Sequence, residues 1–310
     1  MNMKLLLTSI GKRVELVKHL KTQFTVLGTD ITELSAASYF VDGFIKVPPF
    51  TADGYLESLL RTVEENKVDC LIPLHEGEFE LLSRSADEFS RRGCTLLLSA
   101  PDTIATCSDK WETFKFFREN NIKTPLSSLE PRAMEHAFPL FIKPRQGMGS
   151  QNAHKLSARE DLHYYSGKIE NPIIQKFIKG KEYTIDCLSD LSGRLISAVP
   201  RERLEVISGE VSKSRTVKAP EMQELARNIC EKLGISGPST LQCIREDKTG
   251  ELYFIEINPR FGGGVPTTFA AGINYAELIR NMLQKSDSAP ETLMPYKEVT
   301  ILRYTEAVIV

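Results

Sequence analysis

Over its first hundred residues the chain alternates short apolar runs with stretches of helical periodicity, and this alternation constrains the fold more than any other feature. "KLLLTS" precedes a helical pattern beginning near Lys12, and "FTVLGTD" and "GFIKVP" follow. A helical pattern near Tyr55–Asn66 leads to "VDCLIPL", and another through "EFELLSRSADEFSRRG" leads to "CTLLLSA". Strands that alternate with helices pair in parallel through crossover helices, so a Rossmann-like α/β domain is expected here. Gly11 to Arg13 does not open a phosphate loop, which would need Gly at Leu6 and Ser or Thr at Arg13; a GxGxxG is also missing. Glu76, Glu78 and Glu80 follow "CLIPL", where α/β domains place ligands beyond strand carboxyl ends. They could face an acceptor amine, although an acidic helix start explains them as well.

The chain has 310 residues, 41% of them hydrophobic, which suits a globular protein of roughly two domains. A net charge of −2 leaves no electrostatic footprint for nucleic acid or an anionic membrane. No apolar run approaches the roughly 18 residues that a membrane helix needs, and "MNMKLLLTSIGKR" reads as a first strand, not a signal peptide. Cys70, Cys94, Cys107, Cys187, Cys230 and Cys243 show no CxxC pairing. Free buried thiols and a cytoplasmic location are expected, without zinc or disulfides.

From Ser108 the character changes. "SDKWETFKFFRENNIKTP" reads as a helix capped by Ser108, with Pro125 beyond its end. "PLFIKPRQGMGSQN" and "NPIIQKFIKGKEYTIDCL" read as strands broken by Gly-rich turns, and "EMQELARNICEKLG" as an amphipathic helix with Gly234 as its C-cap. The closing "AVIV" reads as an apolar strand, with a short further C-terminal element expected.

The stretch "TLQCIREDKTGELYFIEINPRFGGG" carries the chemistry. "DKTGE" suits a three-residue hairpin loop with Gly250 at the left-handed position. Asp247 would then face Glu251, and Gln242 would lie across from Glu256, with Asn258 one pleat along. Ile255 and Ile257 would face the core while Glu256 and Asn258 point together to the other side. Three oxygen donors on one patch suit Mg²⁺ completed by water and nucleotide phosphates. Lys143 ends "LFIK", and Gly147 and Gly149 would let backbone N–H groups approach phosphate oxygens. Lys110 starts a helix, and "QKFIKGKE" offers a strand end for an adenine edge, with Glu182 placed for ribose hydroxyls. Taken singly, each is explained equally by a turn, a surface lysine or a solvated charge.

In this order the pieces resemble the ATP-grasp superfamily, and within it the single-module group similar to the carbamoyl phosphate synthase large subunit. "EINPR", with Gln242 fourteen positions before Glu256, is the specific part of the resemblance. It implies an ATP-grasp fold, α/β and α+β: an N-terminal Rossmann-like pre-ATP-grasp domain (1–100), a small lid subdomain (101–178) and a C-terminal β-rich subdomain with the metal site (179–310). It implies that Lys110, Lys143, Gly147, Gly149 and Ser150 hold nucleotide phosphates, that Gln175, Lys176, Phe177 and Ile178 line the adenine hinge, and that Glu182 holds the ribose. Gln242, Glu256 and Asn258 would bind two Mg²⁺ ions, with Glu256 bridging them and Mn²⁺ as a substitute. Arg260 would contact the transferring phosphoryl group, with Arg203, Lys213 and Arg215 as further cations at the site. The three glycines after Arg260 would let the loop approach an anionic substrate closely. The implied activity is an ATP-dependent carboxylate–amine ligase using an acyl phosphate, with a kinase-like phosphotransferase or an idle nucleotide-binding regulator as alternatives. Small carboxylate and amine substrates and a homodimer are the expected partners. Since 310 residues hold one module, carbamoyl phosphate synthesis by two phosphorylations is not expected.

Overall fold

The computed structural model describes residues 3–147, 149, 152–207, 209–284 and 292–310. Its N-terminal part contains strands β1 (Lys4–Thr8), β2 (Thr25–Asp30), β3 (Gly43–Lys46), β4 (Cys70–Pro73) and β5 (Thr95–Leu96), with helices α1 (Val14–Leu20), α2 (Tyr55–Asn66), α3 (Phe79–Arg84) and α4 (Ala86–Arg91). The strands form one parallel sheet in the order β3-β2-β1-β4-β5. Period-two alternation sorts β1 between two cores: Leu6 packs with Leu59, Val63 and Leu71, while Leu5 and Leu7 pack on the opposite face. The single helix expected over "EFELLSRSADEFSRRG" is two, divided at Ser85.

Helices α5 (Pro101–Ser108) and α6 (Lys110–Glu119) lead to a four-stranded sheet. Its strands are β6 (Ser127–Ser128), β7 (Leu140–Pro144), β8 (His154–Leu156) and β9 (Pro172–Lys176), in the order β6-β9-β7-β8. Helices α7 (Pro131–Met134) and α8 (Arg159–Ser166) contribute Met134 and Leu162 to the core beneath it. Ser108 is the last residue of α5, and the cap of α6 is Asp109, whose Oδ1 accepts from the N–H of Trp111 at 2.8 Å. Cys107 and Phe117, from these two helices, are buried in the core of the larger sheet that follows.

That sheet has six strands in the order β14-β13-β10-β11-β12-β15: β10 (Gly180–Ser189), β11 (Leu195–Ile207), β12 (Glu210–Thr216), β13 (Gly237–Glu246), β14 (Leu252–Asn258) and β15 (Thr300–Leu302). Helix α9 (Pro220–Leu233) buries Met222, Ala226, Ile229 and Cys230 against it and ends at Gly234 with φ 65°. Helices α10 (Pro266–Ala270) and α11 (Tyr275–Leu283) leave the sheet and pack on the N-terminal domain, where Tyr275, Ala276 and Ile279 join Leu5, Leu7 and Val17. One hydrophobic core therefore joins residues from both ends of the chain. "AVIV" lies outside any strand, with Ile309 and Val310 exposed.

The β13–β14 hairpin differs from expectation near its turn. Glu246, not Asp247, is bonded to Glu251, so the loop is one residue longer, with Gly250 left-handed at φ 73°. A bulge at Ile255 absorbs the difference: Cys243 pairs with Phe254, whereas Gln242 pairs with Glu256. Phe254 and Ile257 therefore enter the core, and Ile255 is only half-buried.

All six cysteines are free and buried. Among the described residues no helix is long and apolar enough to cross a membrane.

Candidate active site

At the end of β14 three polar side chains converge. Gln242 stands across from Glu256 in the ladder. The Asn258 amide faces Glu256 Oε1 and Glu76 Oε1, and turned nitrogen-inward it would donate to them at 3.2 and 3.0 Å. Among the described residues no group of three His, Cys, Asp or Glu side chains could hold a metal. A cation here would rest on one carboxylate and two amide oxygens, which suits Mg²⁺ only together with phosphate oxygens. Binding it through both Glu256 and Asn258 uses the orientation in which the Asn258 oxygen faces Glu256.

Facing this patch is Lys143 on β7, 8% exposed and without a hydrogen-bond or ion-pair partner among the described residues. Its charged neighbours are Glu256, Lys110 and Glu182, so three of the residues expected at the site surround it. Burial pulls its pKa down to about 8, against the raising effect of the two glutamates. Lys110 donates to the carbonyl of Gly147 at 2.9 Å. Gly147 (φ 107°) and Gly149 (φ 74°) both lie in the left-handed region that other residues avoid. Ser150 lies outside the described residues.

The glycine loop touches the β11–β12 turn: a Cβ on Gly209 would lie 3.0 Å from the Gly149 carbonyl oxygen. Gly209 accepts from Arg203 Nη2 at 3.2 Å, and Arg203 Nη1 donates to Gln242 Oε1 at 3.3 Å, with Glu182 at 3.7 Å. Arg203 Nε is buried without a partner among the described residues. Burial lowers the Arg203 pKa despite Glu182 and Glu256.

At the hinge, Gln175 is buried and donates to Ser127 Oγ at 2.9 Å. The N–H groups of Lys176 and Phe177 go to the carbonyls of Leu126 and Pro139. Ile178 N–H has no such partner among the described residues, which leaves it open to an outside acceptor.

Two expected residues are not brought to this group. Lys213 and Arg215 are exposed on β12, and Lys213 pairs with Glu205 at 3.2 Å. The inward position between them belongs to Ser214, which is buried and bonded to Thr267. Alternation along the strand turns both cations to the opposite face.

Arg260 leaves the end of β14 and meets the N-terminal domain, its Nε and Nη2 at 2.7 and 2.6 Å from Glu76 Oε1. Glu78 is fully buried and accepts from Tyr55 (2.8 Å), Thr8 (2.5 Å) and Ser9. Glu80 is exposed beside Arg84. Of the three acids after β4, only Glu76 reaches the site.

Two of the three glycines after Arg260, Gly262 and Gly264, answer to a buried ion pair. Arg201 (3% exposed) donates to Asp186 (1% exposed) at 2.8 and 3.3 Å, and Thr268 donates to the same carboxylate at 2.7 Å. A Cβ on Gly264 would lie 2.6 Å from the Arg201 guanidinium, and one on Gly262 would lie 2.7 Å from a methyl of Thr240. Only glycine lets the loop lie flat on that pair. The sequence reading missed Asp186, for which the one available signal was an acid inside the apolar run "YTIDCL".

A family model described as an ATP-grasp domain matches residues 107–264, half of the chain. The chain belongs to the ATP-grasp family. A second model, a PylC-like N-terminal domain, matches residues 5–97 of this ATP-grasp protein. The carbamoyl phosphate synthase large chain of Clostridium beijerinckii (strain ATCC 51743 / NCIMB 8052) is 26% identical over 265 residues, covering 78% of this chain and 24% of that one. That of Thermotoga sp. (strain RQ2) is 24% identical over 310 residues, covering 83% and 28%. The chain thus spans about a quarter of the length of these relatives. N5-carboxyaminoimidazole synthetase from Staphylococcus aureus, solved with ADP, superposes with a TM-score of 0.76 at 15% identity over 98% of this chain and 83% of that one. An L-amino acid ligase from Bacillus licheniformis gives 0.69 at 20% identity over 91% and 74%.

Proposed function

We propose that this ATP-grasp protein is an ATP-dependent ligase that activates a small carboxylic acid as its acyl phosphate and passes it to an amine. The observation that carries the reading is Lys143: a buried lysine with no partner among the described residues is costly unless an anion completes its surroundings. Its neighbours are the groups that a magnesium nucleotide needs. The chemistry of three proteins to which it is similar, a carbamoyl phosphate synthase large chain, a carboxyaminoimidazole synthetase and an amino acid ligase, supports the same class.

In this reading Lys110, Lys143 and the N–H groups of Gly147 and Gly149 neutralise the phosphates, and Ile178 N–H receives the adenine edge. Glu182 holds the ribose. Gln242, Glu256 and Asn258 would hold two Mg²⁺ ions, replaceable by Mn²⁺, which would supply charge neutralisation at the β- and γ-phosphates. The acid's carboxylate oxygen attacks the γ-phosphorus in line, and the bond to the bridging oxygen of ADP breaks. Arg260, with Arg203 behind Gln242, stabilises charge on the transferring group. The amine then attacks the acyl carbon and phosphate leaves. Contact of Gly149 with Gly209 covers the phosphate end, which protects the acyl phosphate from water.

The test is oxygen tracing. With carboxyl-¹⁸O acid, ATP and Mg²⁺, an acid–amine pair that turns over must move one labelled oxygen into the released phosphate. Without amine, hydroxylamine must trap a hydroxamate. Turnover that releases unlabelled phosphate excludes the mechanism, and a stable phosphate ester instead assigns a kinase.

A further inference from the structure

The crevice between the N-terminal domain and the end of β14 holds more positive charge than its own carboxylates can match. Arg13, Arg260, Lys12 and Arg303 gather there. Glu210 is taken by Lys12 at 2.8 Å and Arg303 at 3.8 Å, and Glu76 by Arg260. Arg13 is left over: its guanidinium has no hydrogen-bond or ion-pair partner among the described residues. It is partly buried, and its Nη1 is 3.6 Å from where a Cβ on Gly263 would stand. Burial, with Arg260 and Arg303 as like charges, lowers its pKa to about 10.

The position is also the one where this sheet topology collects ligands. The chain reverses its direction of build between β1 and β4, and the loops at their carboxyl ends open a crevice there. Arg13 stands on the loop after β1 and Glu76 on the loop after β4. The first loop is braced: Thr8 and Ser9 donate to Glu78, the Gly11 N–H to Asp30 Oδ2 at 2.9 Å, and the Arg13 N–H to the carbonyl of Ile10 at 2.9 Å. Glu210 attracts Arg13 only at longer range and already holds two other cations, so a cation kept on such a loop with no carboxylate in contact is prepared for an anion from outside.

We infer that the crevice receives a carboxylic acid bearing a second anionic group, and that Arg13 binds that second group while the reacting carboxylate lies toward Arg260. This rests on the ligase reading above and narrows its substrate class to dianionic acids. The second group is a carboxylate or a phosphate, both of which accept a guanidinium fork.

The experiment compares the full chain with Arg13→Gln and Arg13→Lys in thermal melts and calorimetric titrations, with and without saturating Mg-ADP. Acetate supplies a reacting carboxylate alone, succinate and L-glutamate a second carboxylate, and 3-phosphoglycerate a phosphate. In the wild type at least one dianion binds more tightly than acetate. Arg13→Gln weakens that dianion roughly 10- to 100-fold, leaves acetate unchanged, and melts without ligand at or above the wild type. Arg13→Lys falls between them, and whether succinate and glutamate or phosphoglycerate lose more tells carboxylate from phosphate. Equal dianion binding in wild type and Arg13→Gln, no preference over acetate, or an Arg13→Gln protein melting well below the wild type each overturns the inference. Loss of Mg-ADP stabilisation in the wild type sinks the nucleotide reading instead, and the anion titrations without nucleotide are judged on their own.

Discussion

Lys143 makes a prediction with opposite signs in the presence and absence of nucleotide. Its pKa falls from 10.5 in the unfolded chain to about 8 in the folded one. Between these values the unfolded state binds more protons, so stability rises with pH across this window. Below pH 8 both states are protonated and the full penalty of burying the charge applies; above 10.5 neither is charged and the penalty is gone. A difference of this size corresponds to about 3 kcal/mol. Lys143→Met removes the charge and keeps an unbranched apolar stem, so without nucleotide at pH 7 it should be more stable than the wild type by up to about 3 kcal/mol, on the order of 5 °C.

Urea melts of both proteins at pH 7, 9 and 10.5 measure this directly. The advantage of the variant should shrink with rising pH and vanish at the top of the range. Saturating Mg-ATP should reverse the order at pH 7: ligand at about 1,000 times its dissociation constant stabilises the wild type by roughly 4.1 kcal/mol, while the variant gains much less. A variant less stable than the wild type at pH 7 without nucleotide would refute the reasoning, as would a stability difference that ignores pH.

Glu256→Gln should fold normally, since volume and cross-strand pairing are kept, but lose about 10²–10³ in turnover by removing the only carboxylate among the three oxygen donors; steady-state ADP release measures it. Asp186→Asn leaves Arg201 buried without its countercharge and should cost about 3–5 kcal/mol in chemical denaturation. Gly264→Ala drives a methyl into that guanidinium and should lower stability by about 1–3 kcal/mol in the same assay. In Gly209→Ala the residue keeps a left-handed φ of 79° against Gly149, so the KM for ATP should rise while the melting temperature falls slightly.

The features legible in the sequence were those set by local periodicity. Strand–helix alternation anticipated the parallel sheet, and period two placed Gln242 opposite Glu256. That pairing survived an incorrect turn because the extra loop residue and the Ile255 bulge cancel before the site is reached. Lys213 and Arg215 were misjudged because a strand's charge content does not say which face turns inward; the small, buried Ser214 between them decides it. The choice of Glu76 among the three acids after β4, and the part of Arg13, were beyond reach for a different reason. Their partners at the site stand on β14 and the loop after it, far along the chain, and only the docking of α10 and α11 onto the N-terminal sheet brings the two ends together.

That docking also explains Gly262 and Gly264. The chain must pass from the end of β14, over Arg201, to α10 within a few residues, because Val265 is already buried in the N-terminal core. Side chains at 262 and 264 would lift it off the Asp186–Arg201 pair and move Arg260 relative to Glu76. Thr268 on α10 closes the arrangement by donating to Asp186 from the far side. The buried pair is thus a floor on which the loop between two domains lies, and its service to the site is geometric. It fixes where Arg260 points. A glycine run next to a metal-site signature invites a substrate reading; here the partner that needs the space is the protein's own arginine.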